Sequence, residues 1–121
     1  MKPKKIDLAQ KLSLFDEHWS PKIIGEINDC AVKLVKLQGE FVWHQHEKED
    51  ELFLVVKGRM RIQFRDGDVE LSAGEMVVVP RGVEHRPTAD EEASVLLFEP
   101  KSTLNTGDAV DSRTVHELER I

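Results

Sequence analysis

The sequence has a single cysteine, Cys30, and no tyrosine, and it lacks any long apolar run. One cysteine excludes a disulfide within the chain, which is typical of proteins in a reducing compartment. No stretch approaches the roughly 20 apolar residues that a membrane helix needs, and residues 1–7 do not form the apolar core of a signal peptide. These absences predict a cytoplasmic protein without a membrane segment.

An excess of positive charge is also absent. The 17 lysines and arginines are scattered and are outnumbered by 23 aspartates and glutamates, which gives a net charge of −6. A protein that binds nucleic acid neutralises phosphates with clustered Lys and Arg side chains. The sequence therefore argues against nucleic acid as a primary partner.

The composition that is present is that of an ordinary globular protein arranged in short β-rich runs. The 121 residues are 40% hydrophobic and 33% charged, which fits a single domain over residues 1–121. Many short runs separated by turn residues indicate an all-β sandwich or barrel. Short helices are predicted at residues 5–16 and 111–121, the second with Ser112 as its cap. The predicted strands are residues 23–27, 31–37, 41–46, 51–56, 59–64, 69–71, 76–79 and 94–98.

Residues 41–43 and the predicted strand at residues 51–56 are apolar on both faces. An outer apolar face of that size usually marks an interface, so the N-terminal segment or a second subunit must cover it. Because closed twofold pairs are the commonest assembly, we expect a homodimer. The residues of this predicted outer face are Phe41, Trp43, Leu52, Leu54 and Val56.

Three of the five histidines and one glutamate form a set of potential metal ligands. His44 and His46 are two residues apart, so on a strand their side chains project from the same face. Glu51 opens the next apolar run, and His85 follows a turn at residues 80–82 that returns a later strand. Three imidazoles and one carboxylate suit iron, manganese, nickel, copper or zinc, although the same residues could be surface or core side chains without a metal. We expect one divalent transition metal (Fe, Mn, Zn or Ni) on these four side chains.

Residues 39–58, GEFVWHQHEKEDELFLVVKG, resemble the first motif of the cupin superfamily, and residues 74–89 resemble the second. The first motif reads Gly, a spacer, His-x-His, three or four residues, Glu, six residues and Gly. The six residues before Gly58 select Glu51 over Glu49 or Asp50. The second motif reads Gly, five residues, Pro-x-Gly, two residues and His, which here is His85.

The resemblance implies a jelly-roll barrel, or double-stranded β-helix, of antiparallel strands, as in small stand-alone bacterial cupins. It also implies that His44, His46, Glu51 and His85 are the metal ligands. Two positions depart from the motifs: four residues rather than five separate Gly39 from His44, and Ala89 stands where Asn is common. Neither departure touches a ligand, so both bear on substrate and subgroup rather than on the fold.

The inward face of such a barrel would form a mainly apolar pocket beside the metal. Lys33, Arg81 and Arg86 are candidates for meeting an anionic substrate, and residues 105–107 are either an ordinary turn or a loop over the barrel mouth. No side chain stands out as a catalytic group. The pocket predicted from the sequence consists of Phe53, Val55, Met60, Ile62 and Arg81.

Several functions are compatible with these features. The resemblance permits dioxygenase, isomerase, decarboxylase or lyase chemistry, and a fold alone does not choose among them. An intact ligand set favours a working metal, so the leading hypothesis is a metal-dependent enzyme (oxygenase, isomerase or lyase) acting on a small organic molecule. The alternative is a non-catalytic cupin that binds or senses a small molecule, and a structural or storage protein is a third hypothesis.

Overall fold

The computed structural model describes residues 1–121 and contains one short helix and seven strands. All strand pairs are antiparallel, as the sequence predicts. The one helix is too short to span a lipid bilayer. In chain order the elements are α1 (Leu8–Leu12), β1 (Lys22–Ile27), β2 (Cys30–Glu40), β3 (Glu51–Lys57), β4 (Arg59–Phe64), β5 (Gly67–Ser72), β6 (Met76–Val79) and β7 (His85–Pro100).

Strand β7 is the centre of the fold, because it is long enough to pair with three other strands. Its residues 85–88 pair with β4, residues 88–100 pair with β2, and residues 94–98 also pair with β3. The strand order is β1-β2-β7-β3-β6, and β5 joins through β4. The sheet therefore curls into a barrel in which β2, β3 and β7 share one wall.

Side chains alternate between the inside and the outside of this barrel, as the two-residue period of a strand requires. On β3, Glu51, Phe53 and Val55 are buried inside, whereas Leu52 and Leu54 are half-buried outside. Every strand except β1 contributes to one apolar cluster that fills the interior of the barrel. The cluster consists of Val35, Leu37, Phe53, Val55, Met60, Ile62, Leu71, Val79, Ala89, Ala93, Val95 and Leu97.

The N-terminal segment covers part of the outer face. Asp7 caps α1, since its carboxylate accepts two backbone hydrogen bonds from the first turn. After the helix, Phe15 packs with Ile24 and Leu34 in a second apolar cluster. The helix is much shorter than the predicted residues 5–16, because Ser13 already ends it as the C-terminal cap.

The predicted outer apolar face is wrong for Phe41, and an arginine covers Trp43. Phe41 is buried at the mouth of the barrel, where its ring stacks on Trp19 with centroids 4.6 Å apart. Trp43 lies beneath the guanidinium group of Arg65, 3.8 Å from its ring centroid. The half-buried or exposed apolar residues that do share the outer face of β3 and β6 are Leu52, Leu54, Val56, Met76 and Val78.

The prediction of a strand over residues 41–46 is also wrong, because this segment is a loop with a single bridge to β7. The bridge joins His44 to His85. Beyond it, the N–H group of Phe41 donates to the carbonyl of Pro87. Proline has no N–H group to return that hydrogen bond, so the ladder stops there.

The C-terminal helix predicted at residues 111–121 does not form, and turns occupy this region. Side chains hold the backbone of these turns instead: Asp111 accepts from the N–H group of Arg113, and Asn105 accepts from that of Val115. The chain then ends beside β1, where the N–H group of Ile121 donates to the carbonyl of Ile23. Local side-chain hydrogen bonds of this kind compete directly with helix formation.

Candidate metal centre

The structure brings the four candidate ligands together at one end of the barrel interior. His44 and His46 lie on the loop before β3, Glu51 is the first residue of β3, and His85 is the first residue of β7. Their four ligand atoms all lie within 4.8 Å of one another, and all four side chains are buried. These residues could therefore hold a metal ion.

The backbone fixes two of the imidazoles against each other. The N–H group of His44 donates to the carbonyl of His85, and the N–H group of His85 donates back, at 3.0 and 2.9 Å. Residues in such a directly opposed pair place their side chains next to each other. The two rings accordingly lie with their centroids 4.3 Å apart.

Carbonyl groups then determine which ring nitrogen faces the cluster. Nδ1 of His44 lies 2.8 Å from the carbonyl of Val42, and Nδ1 of His85 lies 3.0 Å from the carbonyl of Val83. A carbonyl oxygen can only accept, so each Nδ1 carries the proton and each Nε2 keeps a free lone pair. This is how proteins commonly orient a metal-binding histidine.

A second loop holds the segment between the two histidines in place. The N–H group of Gln45 donates to the carboxylate of Asp108 at 2.9 Å, and the N–H group of Asp108 donates to the carbonyl of Gln45 at 3.1 Å. Gly107 lies so close that a Cβ atom there would be 2.2 Å from the carbonyl oxygen of Gln45. Residues 104–108 therefore form a turn that supports the ligand loop from outside.

The cluster contains buried polar atoms that nothing in the chain satisfies. Nε2 of His46, Nε2 of His85 and Oε1 of Glu51 have no hydrogen-bond partner. Both imidazole nitrogens lie 3.3 Å from the Glu51 oxygen. Leaving buried polar atoms unsatisfied is costly, so converging lone pairs of this kind fit a cation placed between them.

The electrostatics of the cluster favour the protonation states that bind metals. Burial, with a smaller contribution from the neighbouring His85, lowers the pKa of His44 to about 4. Burial by itself raises the pKa of Glu51, but its contacts with His46, His85 and Glu99 outweigh that effect and hold the pKa well below its usual range. At neutral pH the site therefore presents a neutral His44 and an ionised Glu51, as metal coordination requires.

A small cavity of about 40 Å³ adjoins the cluster inside the barrel. His44 and Glu51 form part of its wall, and most of the rest is apolar, including Phe53 and Leu97. Trp19 and Phe41 also line it, with their rings stacked on each other. Lys33 and Glu99 are the remaining charged groups in this cavity.

The predicted pocket residues occupy three different places. Phe53 lines the cavity beside Glu51. Val55 and Ile62 are buried in the main apolar cluster, and Met60 lies between that cluster and a separate groove. Arg81 is on the surface, where its backbone N–H group donates to Asp50.

The groove beside Met60 has a volume of about 510 Å³ and is lined by β4 and β7 residues such as Arg59 and Asp90. It includes none of the four candidate ligands.

Sequence reasoning missed three residues that shape the site: Trp19, Glu99 and Asp108. Glu99 had a visible signal, since it follows Leu97 by two residues and must share the inward face of β7. Trp19 and Asp108 had none, because both lie in loops whose paths depend on the whole fold.

Comparison with known proteins decides the family. The family model described as the cupin domain matches residues 32–99, a stretch that includes all four candidate ligands. This chain belongs to the cupin family. The resemblance of its two motifs to those of cupins is thereby confirmed.

Solved structures agree with this assignment. A cupin-2 domain containing protein from Shewanella frigidimarina is 52% identical, with a TM-score of 0.79 over 79% of this chain and 94% of that chain. Protein NMB1881 from Neisseria meningitidis is 37% identical, with a TM-score of 0.74 over 81% of this chain and 100% of that chain. Among curated proteins, the uncharacterized protein YdbB of Bacillus subtilis is 41% identical over 64 residues, which are 52% of this chain and 57% of the relative. The match thus spans little more than half of the Bacillus protein.

Proposed function

We propose that this cupin binds one divalent transition metal through His44, His46, Glu51 and His85, and that it is an enzyme acting on a small organic molecule. The observation that carries the proposal is the convergence of four buried ligand atoms within 4.8 Å. Three of these atoms have no hydrogen-bond partner in the protein. A cluster that served only the stability of the barrel would be expected to satisfy them internally.

The donor set fits Fe, Mn, Zn or Ni, because imidazole nitrogens with one carboxylate suit these ions. A divalent cation would also neutralise the buried charge of Glu51. Four protein ligands leave one or two coordination positions for a substrate on a five- or six-coordinate ion. When bound, such a metal would supply Lewis-acid or redox chemistry toward an oxygen atom of the substrate.

The apolar wall beside the cluster supports a small, largely apolar substrate, which would have to widen the present cavity of about 40 Å³ because ligand pockets usually have about 300–1,000 Å³. His44 and Glu51 line it together with Phe53, so a bound molecule would contact both the apolar wall and the ligand cluster. The stacked pair of Trp19 and Phe41 lies at the same cavity and would exclude water from it. Exclusion of water strengthens electrostatic interactions with a bound molecule, which favours catalysis on small substrates.

The first experiment measures metal content. Protein purified without added metal or chelator is analysed by plasma mass spectrometry beside the His85→Ala variant. A matched control is His116→Ala, which removes an exposed histidine far along the chain from the cluster. We expect near-stoichiometric metal in the wild type and the control, and little in His85→Ala. Equal metal in all three proteins, or none after incubation with Fe²⁺, Mn²⁺, Zn²⁺ and Ni²⁺, would contradict the metal centre.

A second experiment separates an enzyme from a binding or sensing protein. Compounds that raise the melting temperature of the metal-loaded protein are incubated with it, under air and without oxygen, and followed by mass spectrometry. An enzyme converts such a compound over many turnovers, and a dependence on air would indicate oxygenase rather than isomerase or lyase chemistry. Quantitative recovery of every bound compound would instead favour the non-catalytic alternative.

We also propose a twofold homodimer through the outer face of β3 and β6. Met76 and Val78 are 51% and 48% exposed there, and Leu52 and Leu54 are half-buried beside them. The variant Val78→Lys should convert the dimer into a monomer in light scattering, because a lysine cannot be buried in an apolar interface without a partner. Val110→Lys is the control, since Val110 is 73% exposed elsewhere on the chain. A monomeric wild type, or a Val78→Lys dimer, would contradict this interface.

A further inference from the structure

The buried hydrogen bond between Lys33 and Glu99 has no evident role in stabilising the barrel. Lys33 Nζ donates to Glu99 Oε2 at 2.9 Å, and each residue is only 2% exposed. Burying the polar ends of a lysine and a glutamate away from water is costly, and apolar side chains of similar size usually serve stability equally well. The placement of this pair therefore calls for another explanation.

The register of the strands places the pair directly beside a metal ligand. Leu52 pairs with Phe98 on β7, so the preceding residue of β3, Glu51, and the following residue of β7, Glu99, are neighbours on the inner face. Glu99 is paired in turn with Ala31 of β2, and Lys33 lies two residues further along that strand on the same face. Three adjacent strands thus carry Glu51, Glu99 and Lys33 side by side.

The contacts form a chain from Lys33 to the ligand. Lys33 Nζ donates to Glu99 Oε2, the register of β3 and β7 places the Glu99 carboxyl group beside that of Glu51, and Oε1 of each glutamate has no hydrogen-bond partner. Apart from the ligand histidines, no other side chain or backbone group in the structure has a hydrogen-bonding contact with the Glu51 carboxylate. Glu99 is consequently the one group outside the cluster that could fix its orientation.

Two of the other ligands, His44 and His85, already have such partners. Carbonyl groups of Val42 and Val83 orient the rings of His44 and His85. Outer partners of this kind commonly change metal affinity by about 10–100-fold when they are removed. Building on the metal centre proposed above, we infer that Lys33 and Glu99 are a positioning pair that holds the Glu51 carboxylate in the orientation required for metal binding. Neither residue needs to touch the metal itself.

The test uses a double variant, Lys33→Met with Glu99→Leu, which replaces the pair by apolar side chains of similar size. Changing both residues avoids leaving one buried charge alone, so the double variant should unfold at a temperature close to that of the wild type. Metal-free proteins are titrated with Co²⁺, and the visible absorption spectrum of the bound cobalt is recorded. A matched control, Arg61→Met with Glu70→Leu, removes an exposed pair that joins β4 to β5 at 2.7 Å.

We expect the double variant to bind Co²⁺ about 10–100-fold more weakly than the wild type and to show a shifted cobalt spectrum. The control should match the wild type in both respects. A purely structural role would lower the unfolding temperature and leave affinity and spectrum unchanged. The single variant Glu99→Gln keeps the shape of the side chain and an N–H donor for Glu51, so it should recover much of the affinity.

Wild-type affinity and spectrum in the double variant would overturn the positioning pair while leaving the metal centre intact. Failure of the wild-type protein to bind Co²⁺ would instead overturn both, and the two results cannot be confused. If the double variant does not fold, Glu99→Gln and Glu99→Asp take its place. In that case an unchanged cobalt spectrum in Glu99→Asp, whose carboxylate is withdrawn by one methylene, would overturn the inference.

Discussion

Gly107 tests whether the turn at residues 104–108 supports the metal centre. Its φ angle is +57°, in the left-handed region, and a Cβ atom would lie 2.2 Å from the carbonyl oxygen of Gln45 and 3.0 Å from Cδ2 of His44. Both of these contacts belong to the ligand loop, and the first is with backbone rather than with a flexible side-chain end. Gly107→Ala must therefore displace either the turn or the loop that carries His44 and His46.

The magnitude follows from two separate penalties. An alanine in the left-handed region costs about 1 kcal/mol. Overpacking against a fixed backbone group adds about 1–3 kcal/mol. We therefore expect Gly107→Ala to lower the free energy of unfolding by about 2–4 kcal/mol, and to weaken Co²⁺ binding because the imidazole of His44 must move.

The assay is urea unfolding followed by tryptophan fluorescence, together with Co²⁺ titration of the folded protein. Gly74→Ala is the control, since Gly74 has a φ angle of +88° but nothing within 4 Å of its Cβ position. The control pays the backbone penalty of about 1 kcal/mol and should keep wild-type metal affinity. Equal destabilisation in the two variants, with unchanged Co²⁺ affinity in Gly107→Ala, would refute the supporting role of the turn.

Three further outcomes are expected. Glu51→Gln should keep the fold by circular dichroism but lose stoichiometric metal, since it removes the one anionic ligand; full metal content would contradict its role. The pKa of His44 is lowered from 6.5 to about 4, mainly by burial, so the unfolded chain takes up a proton at a higher pH than the folded chain does. The metal-free protein should therefore lose up to about 3 kcal/mol of its free energy of unfolding as the pH falls from 6.5 to 4. Urea unfolding at several pH values checks this, and a free energy of unfolding that rises over that range would refute it. Adding metal at 100 times its dissociation constant should raise the free energy of unfolding by about 2.7 kcal/mol, and chelation should reverse the gain in a thermal melt; an unchanged melting temperature would show that the folded state does not bind the ion.

The sequence alone was sufficient for the features that depend on local spacing. Many short apolar runs separated by turn residues predict the antiparallel barrel, and the hairpin between β4 and β5 turns at residues 65–66, directly before Gly67. The histidine and glutamate spacing identified four residues that the structure places within 4.8 Å of one another. Spacing works here because a strand repeats every two residues, so the face of each side chain follows from its position.

The sequence was insufficient where a residue's surroundings come from distant parts of the chain. Phe41 has the pattern of an outward strand residue, yet it turns inward because the ladder stops opposite Pro87 and Trp19 arrives to stack on it. Residues 111–121 were predicted as a helix capped by Ser112, but turns form there, and Asn105 and Asp111 accept hydrogen bonds from their backbone N–H groups.

The same division applies within the metal centre. The ligands could be identified one by one, but the neighbours that orient them could not. Glu99 reaches Glu51 only because the registers of β2, β3 and β7 bring three strands into line, and Asp108 reaches Gln45 across 63 positions of the chain. Sequence spacing determines which way a side chain faces, whereas only tertiary packing determines what it meets, because contact partners depend on where each strand begins and on how the whole sheet curves.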